Sequence, residues 1–191
     1  LGECSFQESL VHTEFEGLDL IPSNVNLAGA EIELLNIENR EYVLHNEIEK
    51  VKDDYDFIII DCPPSLNMLT VNAMTTATTV LVPIQCEYYA LEGLTQLMYT
   101  INLVQERLNP LLKMEGVVFT MYDARTNLSL QVVENVKENL DTTIYKTIIP
   151  RNVRLAEAPS HGKPINVYDS RSTGAESYRL LAQEVIDRED D

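Results

Sequence analysis

Four apolar residues lead into an acid at Phe57-Ile58-Ile59-Ile60-Asp61, and Cys62-Pro63-Pro64-Ser65 follows directly. The run from Tyr55 to Asp61 is continuously apolar at its centre rather than alternating, which reads as a strand buried on both faces. Such a strand delivers its terminal carboxylate to the C-terminal edge of an open α/β sheet, where ligands bind. There Asp61 can hold Mg²⁺, directly or through water, beside the phosphates of a nucleotide, the pattern of a Walker B element. The two prolines stiffen the turn behind it. A plainer reading of the same residues has Asp61, or Ser65, capping the helix that follows.

Other residue types that could do chemistry are dispersed. Cys4, Cys62 and Cys86 show neither zinc-ligand spacing nor a disulfide framework, and read as reduced thiols. His12, His45 and His161 have no metal-like spacing. Ser160-His161-Gly162 places a hydroxyl beside an imidazole, but no third member or oxyanion feature accompanies it, so a hydrolytic dyad is not supported.

The elements that must position Asp61 are those of an α/β chain. With 191 residues, 45% hydrophobic and 24% charged, the composition is that of a globular protein, and one domain is the simplest expectation. Short apolar runs alternate with segments of helical period, which predicts a three-layer, mostly parallel sheet with helices on both faces. Strands are expected at Leu18–Ile21, Tyr55–Asp61, Thr79–Ile84, Glu115–Met121 and Thr143–Ile149. Helices are expected through Ala28–Leu35, near Arg40–Asp53, and from about Ser65 to Ala77. Another carries Leu91, Leu94, Met98, Ile101, Val104 and Leu108, stopped by Asn109-Pro110. A further helix is marked by Leu130, Val133, Val136 and Leu140, and a last one carries Tyr178, Leu181, Ala182 and Val185 inward. Residues 150–172 read as a long loop, and a loop of that length in a compact domain is more often functional than idle.

Charge and targeting narrow the function classes. The formal net charge of −17 argues against a general nucleic-acid binder, while leaving room for a small arginine patch. The acidic end, Asp187 to Asp191, reads as a frayed, solvated tail. No apolar stretch approaches the roughly 20 residues that would span a bilayer. The start, Leu1-Gly2-Glu3-Cys4, is not a signal peptide and has no initiator Met, so the chain can begin inside a longer protein.

Several longer motifs then point in one direction. Asp61-Cys62-Pro63-Pro64-Ser65 and the segment Pro83-Ile84-Gln85-Cys86-Glu87-Tyr88-Tyr89-Ala90-Leu91-Glu92-Gly93-Leu94 resemble the ParA/Soj/MinD group of partitioning ATPases. Asp123-Ala124-Arg125-Thr126-Asn127 and the stretch from Ile149-Pro150-Arg151-Asn152 through Arg154 to Gly162 resemble its chromosomal Soj branch. The similarity runs from about Leu18 to Ile186. It implies a deviant Walker A, P-loop NTPase fold, a homodimer around two ATP molecules with Mg²⁺, and DNA binding without sequence preference. It also implies a ParB-type partner that stimulates hydrolysis, and a cytoplasmic, nucleoid-associated location with no membrane contact. By the same resemblance, Asp61 is the Walker B aspartate, and Pro63, Pro64, Ser65, Asn67 and Asn72 belong to the segment that senses the γ-phosphate. Asn67 stands where the family usually has Gly; Asn tolerates left-handed angles better than most residues. Pro150, Arg151 and Asn152 correspond to the loop that holds adenine, with Asp123 on the nucleotide side. Arg125 and Arg154 correspond to DNA-contacting arginines, which Arg151 and Arg171 could extend. Each arginine could instead pair with one of the 31 acids.

The family's phosphate-binding loop, Lys-Gly-Gly-x-Gly-Lys-Thr, is absent from these 191 residues. Without its amides and lysine the chain alone is expected to have negligible ATPase activity, and without the strands around that loop its sheet is expected to have a gap. The alternative function is a non-catalytic module that keeps the DNA and partner surfaces but not the nucleotide site. A membrane-cycling, MinD-like role is disfavoured by the acidic Arg188-Glu189-Asp190-Asp191 end.

Overall fold

The computed structural model describes residues 4–63, 65–88, 90–140 and 142–189, with the backbone alone for Ala90 and Leu91. The chain divides into two compact units, one of Leu1–Thr78 with Thr100–Leu112, the other of Thr79–Tyr99 with Lys113–Asp191.

In the first unit a capping box between Ser5 and Glu8 closes the short helix α1 (Phe6–Ser9). An antiparallel pair follows, β1 (Val11–His12) and β2 (Asp19–Leu20). His12 Nδ1 lies 2.7 Å from Asp19 Oδ1 across this pair, and the Tyr55 hydroxyl donates to Asp19 Oδ2 at 2.8 Å. Next come α2 (Leu27–Leu34), a 3-10 turn at Arg40–Tyr42, α3 (Val43–Ile48), a second such turn at Lys52–Asp54, and α4 (Met68–Thr76). The helix expected over Arg40–Asp53 is thus broken into three pieces, although Val51 is buried as its spacing predicted.

The N-terminus of α4 is set by Asn67, whose side chain accepts from the Thr70 N–H at 3.1 Å; neither Asp61 nor Ser65 is the cap. Asn67 has φ −113°, so the left-handed angle considered for it is not adopted. The far end of α4 is held by Asn109, whose Nδ2 spans the carbonyls of Met74, Thr75 and Ala77 at 3.0, 3.3 and 2.9 Å. Helix-end carbonyls have no intrahelical donor, so Asn109→Ala is expected to cost about 1–3 kcal/mol of stability. A urea unfolding midpoint equal to wild type would show that water satisfies those carbonyls equally well.

The apolar run at 57–60 departs from expectation. It forms no ladder with any described strand, Ile59 is 90% exposed and Phe57 48%. An apolar run becomes a buried strand only when neighbouring strands take up its N–H and C=O groups. No described strand pairs with it.

The second unit carries the parallel sheet: β3 (Thr79–Gln85), β4 (Lys113–Tyr122) and β5 (Ile144–Pro150), in the order β3-β4-β5. The central strand β4 buries Val117, Val118 and Phe119 in succession, as a strand covered on both faces requires. Helix α5 (Ala90–Arg107) connects β3 to β4 and contributes residues to both units; α6 (Asn127–Asn139) connects β4 to β5. In α6 the buried face is Ser129, Val132, Val133 and Val136, whereas Leu130 is exposed.

Residues 150–172, expected as a loop, fold into α7 (Val153–Glu157), a 3-10 turn at Ala158–His161 and α8 (Ile165–Tyr168). The residues that read as loop punctuation act here as caps. Asn152 caps α7, and Gly162, at φ +61°, closes the 3-10 turn in the left-handed conformation. Helix α9 (Thr173–Glu189) packs Leu181 and Val185 on Val118, Tyr145 and Ile149, with Leu155 of α7 on the same cluster. Tyr178 and Ala182 are exposed instead, and the helix runs on through Glu189, while Asp190 and Asp191 of the acidic end lie outside the described residues.

Candidate functional site

Because β3, β4 and β5 are parallel, Gln85, Tyr122 and Pro150 end at one edge of the sheet. The Cys86 N–H donates to Thr120 O at 3.0 Å and the Arg151 N–H to Tyr122 O at 2.9 Å, so both outer loops leave the sheet tied to β4. Burial pushes the Cys86 thiol up to about 11, which makes it a packing group rather than a nucleophile.

The side chains on these loops are paired. Arg151 Nη2 reaches Glu87 Oε1 at 2.8 Å, joining the loop after β5 to the loop after β3. Asp123 accepts from the Arg125 backbone N–H (3.0 Å), from Arg125 Nε (2.9 Å) and from Arg125 Nη2 (2.7 Å). The Arg125 guanidinium and amide beside Asp123 hold its carboxyl well below the usual range. Thr126 then caps α6, and the Arg125 side chain stays 86% exposed.

Asn152 has both ends of its amide engaged. Its Oδ1 accepts from the Arg154 N–H at 2.8 Å and its Nδ2 donates to Thr173 Oγ1 at 2.7 Å. One lone pair and one N–H remain for a base edge, half of what the group can offer. Arg154 lies between Glu157 and Asp169. Arg171 is exposed and makes no ion pair among the described residues.

The expected site residues therefore divide. Asp123, Arg125, Pro150, Arg151, Asn152 and Arg154 lie in the second unit, at the end of β5, on loops at the C-terminal edge or on the helix that follows. Asp61, Pro63, Ser65, Asn67 and Asn72 lie in the first; Pro64 is outside the described residues. Asp61 is exposed and has no hydrogen bond or ion pair with the described residues. Ser65 and Asn67 form a local knot: the Asn67 amide donates to Glu31 and to Ser65 Oγ, and Thr70 Oγ1 donates to Ser65 O at 2.6 Å. Asn72 is 4% exposed and structural in its contacts, donating to the carbonyls of Arg40 and Met68 and accepting from the Leu44 N–H.

Three acids that organise the basic residues escaped the sequence reading. Glu157 stands three residues from Arg154 on a helix and carries a local signal. Glu87 and Asp169 approach from other elements and carry none.

Among the described residues no group of three or more His, Cys, Asp or Glu side chains could hold a metal ion. A single carboxylate is nevertheless a fit for Mg²⁺, which takes one or two carboxylates together with nucleotide phosphates rather than an all-protein cage. Asp61, unpaired and exposed, meets that requirement. No described helix is long and apolar enough to cross a membrane.

A parallel sheet flanked by helices, with its polar loops gathered at the C-terminal edge, is an α/β arrangement, and the solved structures it superposes on are of the P-loop NTPase kind. Cobyrinic acid a,c-diamide synthase from Mycobacterium smegmatis, solved with bound ADP and magnesium, superposes with TM-score 0.80 at 39% identity, over 95% of this chain and 66% of that one. The cell division ATPase MinD of Pyrococcus furiosus shares the fold at TM-score 0.77 and 23% identity, over 97% of this chain and 72% of that one. The AAA domain family matches residues 1–114. The sporulation initiation inhibitor protein Soj of Bacillus subtilis (strain 168) is 60% identical over 173 residues, 91% of this chain and 68% of Soj. The chromosome partitioning protein ParA of Myxococcus xanthus (strain DK1622) is 51% identical over 189 residues, 99% of this chain and 67% of that protein. The chain belongs to the ParA/Soj family of partitioning ATPases. It spans about two thirds of the length of these relatives.

Proposed function

We propose that the chain is the C-terminal part of an ATPase that binds ATP with Mg²⁺ and dimerises around the nucleotide. In that state it binds duplex DNA without sequence preference and drives DNA segregation with a ParB-type partner. The observation that carries this reading is the gathering of Arg125, Arg151 and Arg154 with Pro150 and Asn152 on neighbouring loops and their adjoining helix, in a chain 60% identical to Soj. Arginine's planar, permanent charge suits contact with phosphate oxygens, which position a protein on DNA without reading sequence. In the nucleotide role, Asp61 would hold Mg²⁺, which would supply positive charge against the phosphates. Asn152 would offer its remaining donor and acceptor to the base, and Pro150 would fix the direction in which that loop leaves β5.

The test is retention of the full-length protein, with ATP, on random-sequence duplex DNA. Arg125→Ala combined with Arg154→Ala is expected to weaken binding about tenfold or more and to flatten the log–log salt dependence by roughly 2 units. Retention and slope equal to wild type would remove the arginine assignment.

A second reading, a non-catalytic interaction module, draws support from the Asn152 amide, half of which is already committed to capping and to Thr173. Full-length protein that binds DNA equally well with and without nucleotide would favour it.

A further inference from the structure

Arg154 already faces two acids of its own chain. Its Nη1 lies 2.9 Å from Glu157 Oε2 and its Nε 3.4 Å from Asp169 Oδ2. The acids approach from different elements, Glu157 at the end of α7 and Asp169 just past α8. Glu157 is itself held in place. The Tyr168 hydroxyl donates to the same Oε2 at 3.1 Å, and the His161 ring stacks on Tyr168 with centroids 4.9 Å apart and planes at 25°. Arg154 and then Tyr168 hold the Glu157 carboxyl below its usual range, so it stays an anion at neutral pH.

A carboxylate offers a guanidinium the same pair of anionic oxygens that a phosphate does. One N–H of Arg154 is hydrogen-bonded to such an oxygen and a second nitrogen faces another at 3.4 Å, while the side chain remains 54% exposed. A phosphate can therefore reach Arg154, but must compete with groups already there. We infer that Glu157 and Asp169 act as an internal stand-in for DNA phosphate, occupying Arg154 until duplex DNA displaces them. The inference rests on the reading of Arg154 as a DNA-contacting residue. The physical consequence is a weak, exchangeable grip: each phosphate contact is gained only as an internal ion pair is lost.

The test is a double-mutant cycle in the full-length protein with ATP, measuring affinity for a short random-sequence duplex. Glu157→Gln keeps the acceptor for Tyr168 and removes the charge. It is expected to tighten binding about two- to fivefold, the range in which an exposed ion pair competes. Adding Asp169→Asn is expected to tighten it further. In an Arg154→Ala background both gains should vanish, and Glu138→Gln, which removes one negative charge from exposed α6, should give a smaller change. Gains that persist without Arg154, or that Glu138→Gln reproduces, reduce the effect to net charge and overturn the inference. Weaker binding by Glu157→Gln would mean that the acids brace Arg154 for DNA, which also overturns it. If Arg154→Ala alone leaves affinity unchanged, the underlying DNA-contact reading is what fails. Unfolding midpoints of each variant separate these results from loss of the fold.

Discussion

Asp61→Ala in the full-length protein is expected to lower ATP turnover by about a hundredfold or more without disturbing the fold. The size follows from the chemistry assigned to the residue. Phosphoryl transfer depends on positioning and charge neutralisation, and a metal held away from its place forfeits both. The structural silence of the substitution follows from the site: Asp61 is exposed and makes no hydrogen bond or ion pair with the described residues. Asp61→Asn should behave similarly, because the amide keeps the shape but loses the charge that Mg²⁺ requires. Removing Mg²⁺ with EDTA should bring wild type down to the level of the variant and leave the variant little changed. Turnover near wild type in Asp61→Ala would take the metal role away from this residue. The 191-residue chain by itself, which contains no Lys-Gly-Gly-x-Gly-Lys-Thr, is expected to turn over ATP at background. Turnover by that chain which Asp61→Ala abolishes would show that catalysis can proceed without the loop.

How far the sequence could be read depended on where each signal was stored. Strand β4 and helices α5 and α6 announce themselves through period and length alone, and their bounds fall within a few residues of expectation. The same logic failed at 57–60, because continuous apolarity reports what a segment would bury, not whether a neighbouring strand is there to bury it. It failed again over 150–172. There the whole stretch was read as one loop, although Asn152, Pro159 and Gly162 are of residue types equally at home at a helix end. The arginines were legible as cations that could pair with acids, but the partner was not, since Arg151 meets Glu87 across 64 positions of chain, a separation no local pattern encodes. Asn67 illustrates a quieter failure. It was weighed for backbone freedom, and its contribution lies in a side-chain cap and a bond to Glu31.

Gly116→Ala is expected to destabilise the protein by about 2–4 kcal/mol, enough to move a thermal midpoint by several degrees. Gly116 has φ +154°, a backbone conformation that side chains rarely adopt. A Cβ there would stand 2.8 Å from Thr143 O and 3.1 and 3.2 Å from Tyr145 ring carbons. Neither neighbour can yield cheaply. Thr143 O is backbone and already accepts the Val117 N–H at 2.9 Å. Tyr145 is 2% exposed, donates its hydroxyl to Glu115 and carries Arg188 on its ring face at 3.8 Å. The position coincides with an irregularity in the β3–β4 ladder, where Val80 pairs with Met114 but Leu81 pairs with Gly116, leaving Glu115 as the extra residue. That bulge turns Glu115 toward Tyr145, so glycine here serves the register of the sheet as well as the space beneath it. Gly29 provides the contrast: it lies within α2 with nothing inside 4 Å of an added Cβ. Gly29→Ala should therefore stabilise by about 0.5–1 kcal/mol, since alanine loses less backbone entropy in a helix. Urea unfolding of the two variants side by side decides the matter, and equal midpoints for Gly116→Ala and wild type would show that β4 can close the bulge around a methyl group.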